Sequence, residues 1–191
     1  MARMKLSRRS FLALGILLVP NFAIARDANW AKPFDIQGLP NLNQVAPNLY
    51  RSAQPTAAGF AAAKTNLNVQ TVINLRETQT DAAILGETLI EPHSVPMYAI
   101  SIKKDDVIAA LKLIKAGVAK GPVLLHCKHG ADRTGVVIAM YRILYQGWSK
   151  KQALDEMKNG GFNFHSIFFN IPPFVMNADV AAYKQALAIG P

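Results

Sequence analysis

Short apolar runs alternate with longer segments of helical periodicity from residue 48 to the end of the chain. Apolar and β-branched runs predict four strands, within residues 48–55, 69–75, 91–98 and 123–126. Apolar residues spaced three and four apart, with start and stop signals, predict helices over residues 57–65, 82–88, 107–120, 136–144, 150–157 and 175–187. This alternation predicts an α/β fold with a mostly parallel central sheet flanked by helices.

Local signals mark the starts of several predicted helices. Thr56 is expected to cap the helix that follows it, and Asp105 or Asp106 is expected to cap the helix that ends before residue 121. Ser149 and Gln152 have the spacing of a capping box. These signals place the helix starts independently of the apolar periodicity.

Two stretches lie outside the predicted strands and helices. Residues 26–47, rich in Pro, Asn and Asp and without clear periodicity, are expected to form an irregular lead-in to a single domain over residues 48–190. Four phenylalanines follow residue 161, and these side chains are interpreted as core residues: Phe162, Phe164, Phe168 and Phe169.

Residues 1–25 differ in kind from the rest of the chain. Arg8 and Arg9 precede an apolar stretch, residues 11–19, and Ala23 and Ala25 have the spacing that a signal peptidase recognises. The pattern resembles a twin-arginine export signal, which implies the twin-arginine export machinery as a partner and a periplasmic or otherwise exported protein. The apolar stretch is too short to cross a bilayer of about 30 Å comfortably, so no permanent membrane span is expected.

Composition limits the function classes further. The chain has 21 Lys and Arg against 12 Asp and Glu, a net charge of +9. Loss of residues 1–25, whose charged residues are four basic ones, would lower it to +5. This moderate excess favours anionic substrates, but basic and aromatic residues do not interleave along a stripe, so no nucleic-acid partner is expected. No cofactor or metal is expected, and the single cysteine excludes an internal disulfide.

That cysteine, Cys127, lies in the segment HCKHGADRTG, residues 126–135, between a predicted strand and a predicted helix. Unpaired N–H groups and the dipole at a helix start attract anions. Five residues separate Cys127 from Arg133, which lets the loop curl around a tetrahedral anion that the guanidinium clamps. The same positive field favours the thiolate, which is a nucleophile at neutral pH.

The order Cys-x5-Arg-Thr-Gly, with His before the cysteine, resembles the signature loop of the protein tyrosine phosphatase superfamily, in particular its dual-specificity branch. The order Tyr-Arg-Ser-x-x-Pro at residues 50–55 is similar to the start of its bacterial and fungal atypical members. The resemblance covers residues 48–169 and implies an α/β phosphatase that hydrolyses phosphate monoesters through a phosphocysteine. Its substrate would be a phosphorylated protein, lipid head group or inositol phosphate. Arg51 is expected either to orient a loop beside the site or to be solvated or bonded within its turn.

The resemblance implies a role for each residue of the loop. Cys127 would attack phosphorus, and Thr134 would donate a hydrogen bond to the departing sulfur. His126, from its position on the strand before the turn, would brace the loop rather than act as a base. Arg133 and the backbone N–H groups would bind the phosphate oxygens. The substrate-binding residues are then Lys128, His129, Gly130, Ala131, Asp132, Arg133 and Thr134.

The general acid is absent from its usual place. The family normally carries an Asp about thirty residues before the cysteine, where it protonates the leaving oxygen. Residues 95–100 contain no carboxylate. Asp132, inside the loop, is slightly favoured as the acid over Asp105 or Asp106, which lie closer to the loop than the family pattern places them. The structural alternatives are a helix cap for Asp105 or Asp106, and for Asp132 a pairing with a neighbouring Arg or Lys.

Two other functions stay open from the sequence. A rhodanese-like sulfurtransferase also places one cysteine on a strand-to-helix loop, although Thr134 and Gly135, leading into a buried helix, argue against it. The missing upstream acid also allows a module that binds phosphorylated ligands without turnover. Lys128 and His129 add charge that suits highly phosphorylated inositols, but such charge equally favours the thiolate.

Overall fold

The computed structural model of the chain describes residues 26–190, so the expected export signal lies outside the described residues. The strands in this part of the chain are β1 (Lys32–Pro33), β2 (Asn43–Ala46), β3 (Leu49–Ser52), β4 (Thr71–Asn74), β5 (Glu91–Ser94) and β6 (Val123–His126). The helices are α1 (Ala57–Leu67), α2 (Ala82–Leu85), α3 (Lys104–Lys120), α4 (Asp132–Tyr145), α5 (Lys150–Asn159), α6 (Ile171–Met176) and α7 (Val180–Ala186). None of these helices is long and apolar enough to cross a membrane.

The strands form one sheet in the order β1-β2-β3-β6-β4-β5. β3, β6, β4 and β5 are parallel, whereas β1 and β2 join antiparallel at one edge. The predicted α/β class with a mostly parallel sheet is therefore confirmed. Residues 26–47 are less irregular than expected, because β2 alternates more and less buried positions and pairs with β3.

The register of the parallel strands determines where the candidate residues meet. Ser52 and Asn74, the last residues of β3 and β4, both pair with His126, the last residue of β6. The segments that leave these three strands therefore start side by side at one edge of the sheet. Open α/β sheets bind ligands at such carboxyl edges.

Helices cover both faces of the sheet. In β6 the side chains of Val123 and Leu125 join a large core with α3 to α7, while Leu124 joins a smaller core with α1 and α2. α4 is buried on almost every side, and at Gly135 a Cβ atom would lie 2.8 Å from Cγ of Met157 on α5. This close approach fixes α4 and hence the direction of its N-terminus.

Helix starts follow the sequence signals in two of three cases. The Thr56 hydroxyl accepts a hydrogen bond from the N–H of Gly59 at 3.0 Å, and Ser149 forms the predicted capping box. The expectation that Asp105 or Asp106 caps α3 is wrong. α3 begins at Lys104, so both carboxylates lie in its first turn, where the helix dipole favours negative charge.

The C-terminal aromatic segment differs from the prediction in two ways. Phe162 is fully buried, and Phe164 and Phe168 are partly buried against the core, but Phe169 is 82% exposed. The helix predicted near residues 175–187 is two short helices, α6 and α7. α6 starts earlier because Pro172 suits the first turn of a helix, where its missing N–H has no partner to lose.

Candidate active site

The segment 126–135 forms the predicted strand, loop and helix. Cys127 follows β6 directly and is 1% exposed, and α4 begins at Asp132. Gly130 has a φ of +68° and packs so tightly that a Cβ atom would lie 2.5 Å from the carbonyl carbon and oxygen of Ser52. Only glycine fits this backbone, so the loop depends on both the conformation and the small size of residue 130.

Three consecutive carbonyl groups of the loop are held from outside. The oxygens of Lys128, His129 and Gly130 accept hydrogen bonds from the Gln54 N–H at 3.1 Å, the Asn41 Nδ2 at 3.0 Å and an Arg51 guanidinium nitrogen at 2.7 Å, respectively. The N–H of a trans peptide points away from its C=O, so the following N–H groups face the inside of the loop. Within the described residues, the N–H groups from residue 128 to 131 donate no hydrogen bond, which leaves them available to an anion.

Arg51 performs the first of its two expected roles, since it supports the loop. It is 1% exposed, and its guanidinium lies 3.7 Å from the ring centroid of Phe162. Burial lowers the pKa of Arg51 to about 10, which leaves it charged at neutral pH. Arg51, stacked on Phe162 and hydrogen-bonded to the Gly130 carbonyl oxygen, therefore holds Gly130 in place.

His126 braces the start of the loop, as its position predicted. Its Nε2 lies 2.7 Å from Oδ2 of Asp81, and both side chains are buried. Burial by itself would raise the pKa of Asp81, but hydrogen bonds from His126 and Gln54 lower it below its usual value. The carboxylate stays charged and holds the imidazole in one orientation.

Arg133 reaches across the site to Glu77, with which it forms an ion pair. One of its nitrogens also lies 3.3 Å from the Met97 carbonyl oxygen. Burial would raise the pKa of Glu77, but its backbone hydrogen bond and Arg133 lower it, so the carboxylate is ionised at neutral pH. A phosphate dianion that enters the loop therefore competes with Glu77 for Arg133.

Asp132 is paired with a residue that the sequence did not single out. Its Oδ2 lies 2.8 Å from Nδ1 of His165, and its Oδ1 accepts the backbone N–H of His165 at 2.9 Å. The ring of His129 lies 5.1 Å from that of His165, between centroids. Burial lowers the pKa of His129, and the neighbouring His165 and Lys128 lower it further. Asp132 is therefore paired with His165 and not with a neighbouring Arg or Lys, the partner that the structural alternative named.

A cavity of about 340 Å³ lies over the loop. Its lining combines loop residues with apolar side chains from two other segments: Glu77, Tyr98, Ala99, Ile100, His129, Asp132, Arg133, His165, Ile167 and Phe168. Asp106 is not among these residues, whereas Asp132 is. The Thr134 hydroxyl is buried beside the loop and has no hydrogen-bond partner among the described residues.

The sequence missed Asp81, Glu77 and His165 as partners of the loop. Each lies at least 33 residues from the loop residue that it contacts. Glu77 and Asp81 follow the end of β4, the neighbour of β6, so their position after a parallel strand was an available signal. His165 lies in an irregular segment whose path no local pattern predicts.

Comparisons with known proteins agree with this geometry. The sequence profile of the tyrosine phosphatase family matches residues 39–167. The dual specificity protein phosphatase TpbA of Pseudomonas aeruginosa is 38% identical over 181 residues, which cover 95% of this chain and 81% of TpbA. The inositol diphosphatase DSP3 of Arabidopsis thaliana is 29% identical over 77% of this chain and 74% of its own length.

Solved structures show the same fold. The crystal structure of P. aeruginosa TpbA superposes with a TM-score of 0.77 and covers 86% of this chain and 99% of that protein. A TpbA variant in complex with phosphotyrosine superposes equally well, with a TM-score of 0.77. The catalytic core of the yeast phosphatase SIW14, 24% identical, shares the fold with a TM-score of 0.70. With its cysteine, arginine and anion-binding loop in place, the chain is a cysteine-dependent phosphatase and belongs to the tyrosine phosphatase family.

Proposed function

We propose that this chain is an exported phosphatase that hydrolyses aryl phosphate esters, above all phosphotyrosine, through a phosphocysteine. The observation that carries the proposal is the composition of the cavity over the loop. Five of its ten lining residues are apolar or aromatic: Tyr98, Ala99, Ile100, Ile167 and Phe168. A flat phenyl ring can pack between such side chains while its phosphate enters the loop.

The charges in the cavity favour phosphotyrosine over an inositol polyphosphate. Arg133 is the one Lys or Arg among the lining residues, which also include the carboxylates of Glu77 and Asp132. A ligand with several phosphate groups needs several cations to offset their desolvation and mutual repulsion. TpbA, with a structure bound to phosphotyrosine, is also more similar to this chain than the inositol diphosphatase DSP3.

The reaction follows from the loop geometry. The Cys127 thiolate attacks phosphorus in line and forms an S–P bond as the P–O bond to the phenol breaks. Arg133 and the inward N–H groups bind the three equatorial oxygens. Water then attacks phosphorus, the S–P bond breaks and orthophosphate leaves. The buried Thr134 hydroxyl is available to donate a hydrogen bond to the departing sulfur.

For the general acid we propose Asp132 in preference to Asp106. Asp132 lines the cavity beside Arg133, whereas Asp106 lies in the first turn of α3 and is not among the lining residues. A phenol has a pKa of about 10 and so needs less protonation to leave than an aliphatic alcohol does. An aryl ester is therefore the substrate that suits a site without the upstream Asp.

Export is the second part of the proposal and rests on the sequence. The arginine pair Arg8-Arg9, the apolar stretch and the Ala-x-Ala spacing support a twin-arginine signal in residues 1–25. The expected destination is the periplasm. Replacing both arginines by lysine should leave the protein in the cytoplasmic fraction, and unchanged export of that variant would contradict this part.

A phosphate-release panel tests the substrate. The substrates are phosphotyrosine peptides, phosphoserine peptides, phosphoinositides and inositol polyphosphates, each with wild type and Cys127→Ser. We expect the highest kcat/KM for phosphotyrosine peptides and no release by Cys127→Ser. A higher kcat/KM for an inositol polyphosphate would overturn the aryl preference. Binding without phosphate release would show that the protein does not turn these esters over. In a separate assay, thiocyanate formation from thiosulfate and cyanide would indicate a sulfurtransferase.

A further inference from the structure

His129, Asp132 and His165 form a cluster in the wall of the cavity. One ligand atom from each residue, a histidine nitrogen or a carboxylate oxygen, lies within 4.8 Å of the other two. His129 and Asp132 come from the loop and the first residue of α4, and His165 comes from the segment between α5 and α6. Two separate segments are therefore joined at this point by side chains that commonly bind transition metals.

We propose that His129, Asp132 and His165 bind one zinc ion, with the fourth coordination position open to the cavity. Two histidines and one carboxylate form a ligand set that zinc uses when it keeps an exchangeable position. Oxygen and imidazole ligands without thiolate also disfavour softer ions such as Cu(I).

The three ligand atoms lie within 4.8 Å of one another and would move closer to a common centre on binding zinc. Zinc binds nitrogen and oxygen at about 2.0–2.2 Å, which places tetrahedral ligand atoms roughly 3.3 Å apart. Asp132 Oδ2 and His165 Nδ1 are 2.8 Å apart, joined by a proton that the metal would displace. The His165 side chain is 42% exposed, so its ring has room to rotate as His129 approaches.

The surroundings support the carboxylate as a fixed ligand. Asp132 is 4% exposed, and its Oδ1 is held by the backbone N–H of His165 at 2.9 Å, which leaves Oδ2 for the metal. Arg133 would repel a cation, but its charge is offset by the ion pair with Glu77. The positive charge around the three ligands is therefore smaller than the basic residues of the loop alone suggest, which favours binding of a cation.

We expect a phosphate oxygen as the ligand at the open coordination position. An anion in the loop lies beside Arg133, the residue that follows the metal ligand Asp132. Zinc and orthophosphate should therefore strengthen each other's binding, and by linkage the factor is the same in both directions. This linkage rests on the proposed phosphate-binding function, whereas metal binding itself does not. Metal-bound Asp132 cannot carry a proton, so the metal-loaded form and the acid role of Asp132 exclude each other.

Calorimetric titration of the full chain with zinc chloride tests the site. The variants are Cys127→Ser, which removes the thiolate as a competing ligand, His165→Ala, His165→Gln and the control His93→Ala. His93 pairs with Glu91 on the edge strand β5 and does not line the cavity. Circular dichroism identifies any variant that fails to fold. If one of the two substitutions at residue 165 does not fold, the other still reports the zinc affinity without His165.

We expect one equivalent of zinc to bind wild type, Cys127→Ser and His93→Ala alike. Binding should be at least tenfold weaker in both His165 variants, because one of three ligands is lost. Orthophosphate should bind Cys127→Ser at least threefold tighter with zinc than without. Equal zinc affinity in the folded His165 variants, loss of binding in Cys127→Ser, or no saturable binding would overturn the site. Zinc binding without any orthophosphate binding would instead contradict the proposed function.

Discussion

The Nε2 atom of His126 lies 2.7 Å from Oδ2 of Asp81, and neither side chain is more than 2% exposed. This contact joins the residue before the nucleophile to the segment that follows β4, two parts of the chain 45 residues apart. The cysteine loop is therefore anchored at its first residue by a buried charge. Stability and loop geometry should both depend on that carboxylate.

Asp81→Asn should lower the free energy of unfolding by about 1.5–3 kcal/mol at pH 7, as expected for a lost hydrogen bond to a charged group. The pKa of Asp81 is lowered in the folded state, so its stabilising effect is present above the unfolded pKa of about 3.9 and lost as pH falls through the folded pKa. Urea unfolding of both proteins should show the difference shrinking below about pH 4. The exposed Asp35→Asn is the matched control, and a difference that grows in acid would contradict the assignment.

Arg51→Lys should lower kcat by about 10- to 100-fold, because a lysine cannot both stack on Phe162 and donate to the Gly130 carbonyl oxygen. Steady-state kinetics with p-nitrophenyl phosphate measures the effect. Thermal unfolding shows whether the variant is folded. An unchanged kcat in a folded Arg51→Lys protein would show that the loop does not need this support.

Glu77→Gln should bind orthophosphate about two- to fivefold tighter, since the amide keeps a hydrogen bond to Arg133 but removes the competing charge. The affinity is measured as the inhibition constant of orthophosphate, a competitive inhibitor. Glu87→Gln, a substitution of an exposed residue, should leave it unchanged. Weaker orthophosphate binding by Glu77→Gln would mean that Glu77 holds Arg133 in position rather than competing for it.

A second buried pair, between Arg142 on α4 and Glu156 on α5, should have a large effect on the free energy of unfolding when one partner is removed. Two hydrogen bonds of 2.8 and 2.6 Å join the side chains, and Glu156 also accepts the Ala31 N–H at 2.6 Å. Arg142→Ala or Glu156→Ala should cost about 3–5 kcal/mol, because the remaining charge stays buried without its partner. The double variant Arg142→Met, Glu156→Leu should recover most of that loss in urea unfolding. A double variant as unstable as the sum of the single changes would contradict this interpretation.

The sequence predicted the parts of the structure whose signals are local. Cys127 and Arg133 are close along the chain, so their spacing and the strand and helix around them predicted the anion-binding loop. Thr56 and Ser149 act within one helical turn, and both caps are confirmed. Local order was sufficient for these contacts but not for the start of α3, where neither Asp105 nor Asp106 is the cap.

Partners that are distant in the chain could not be predicted in this way. Arg51 meets Phe162, and Asp132 meets His165, only because the sheet and helices bring their segments together. No periodicity in the sequence predicts such a pairing. The prediction that Phe169 is a core residue was wrong for a related reason. Hydrophobicity favours burial, but the path of an irregular segment determines whether a side chain is exposed.

The most direct test of the account is rapid acid quench of the wild-type protein with p-nitrophenyl phosphate, followed by mass spectrometry. A phosphoryl group should be found on the peptide that contains Cys127, and it should be absent from Cys127→Ser. Phosphate release by wild type without that intermediate, or undiminished release by Cys127→Ser, would contradict the central claim that Cys127 is the nucleophile.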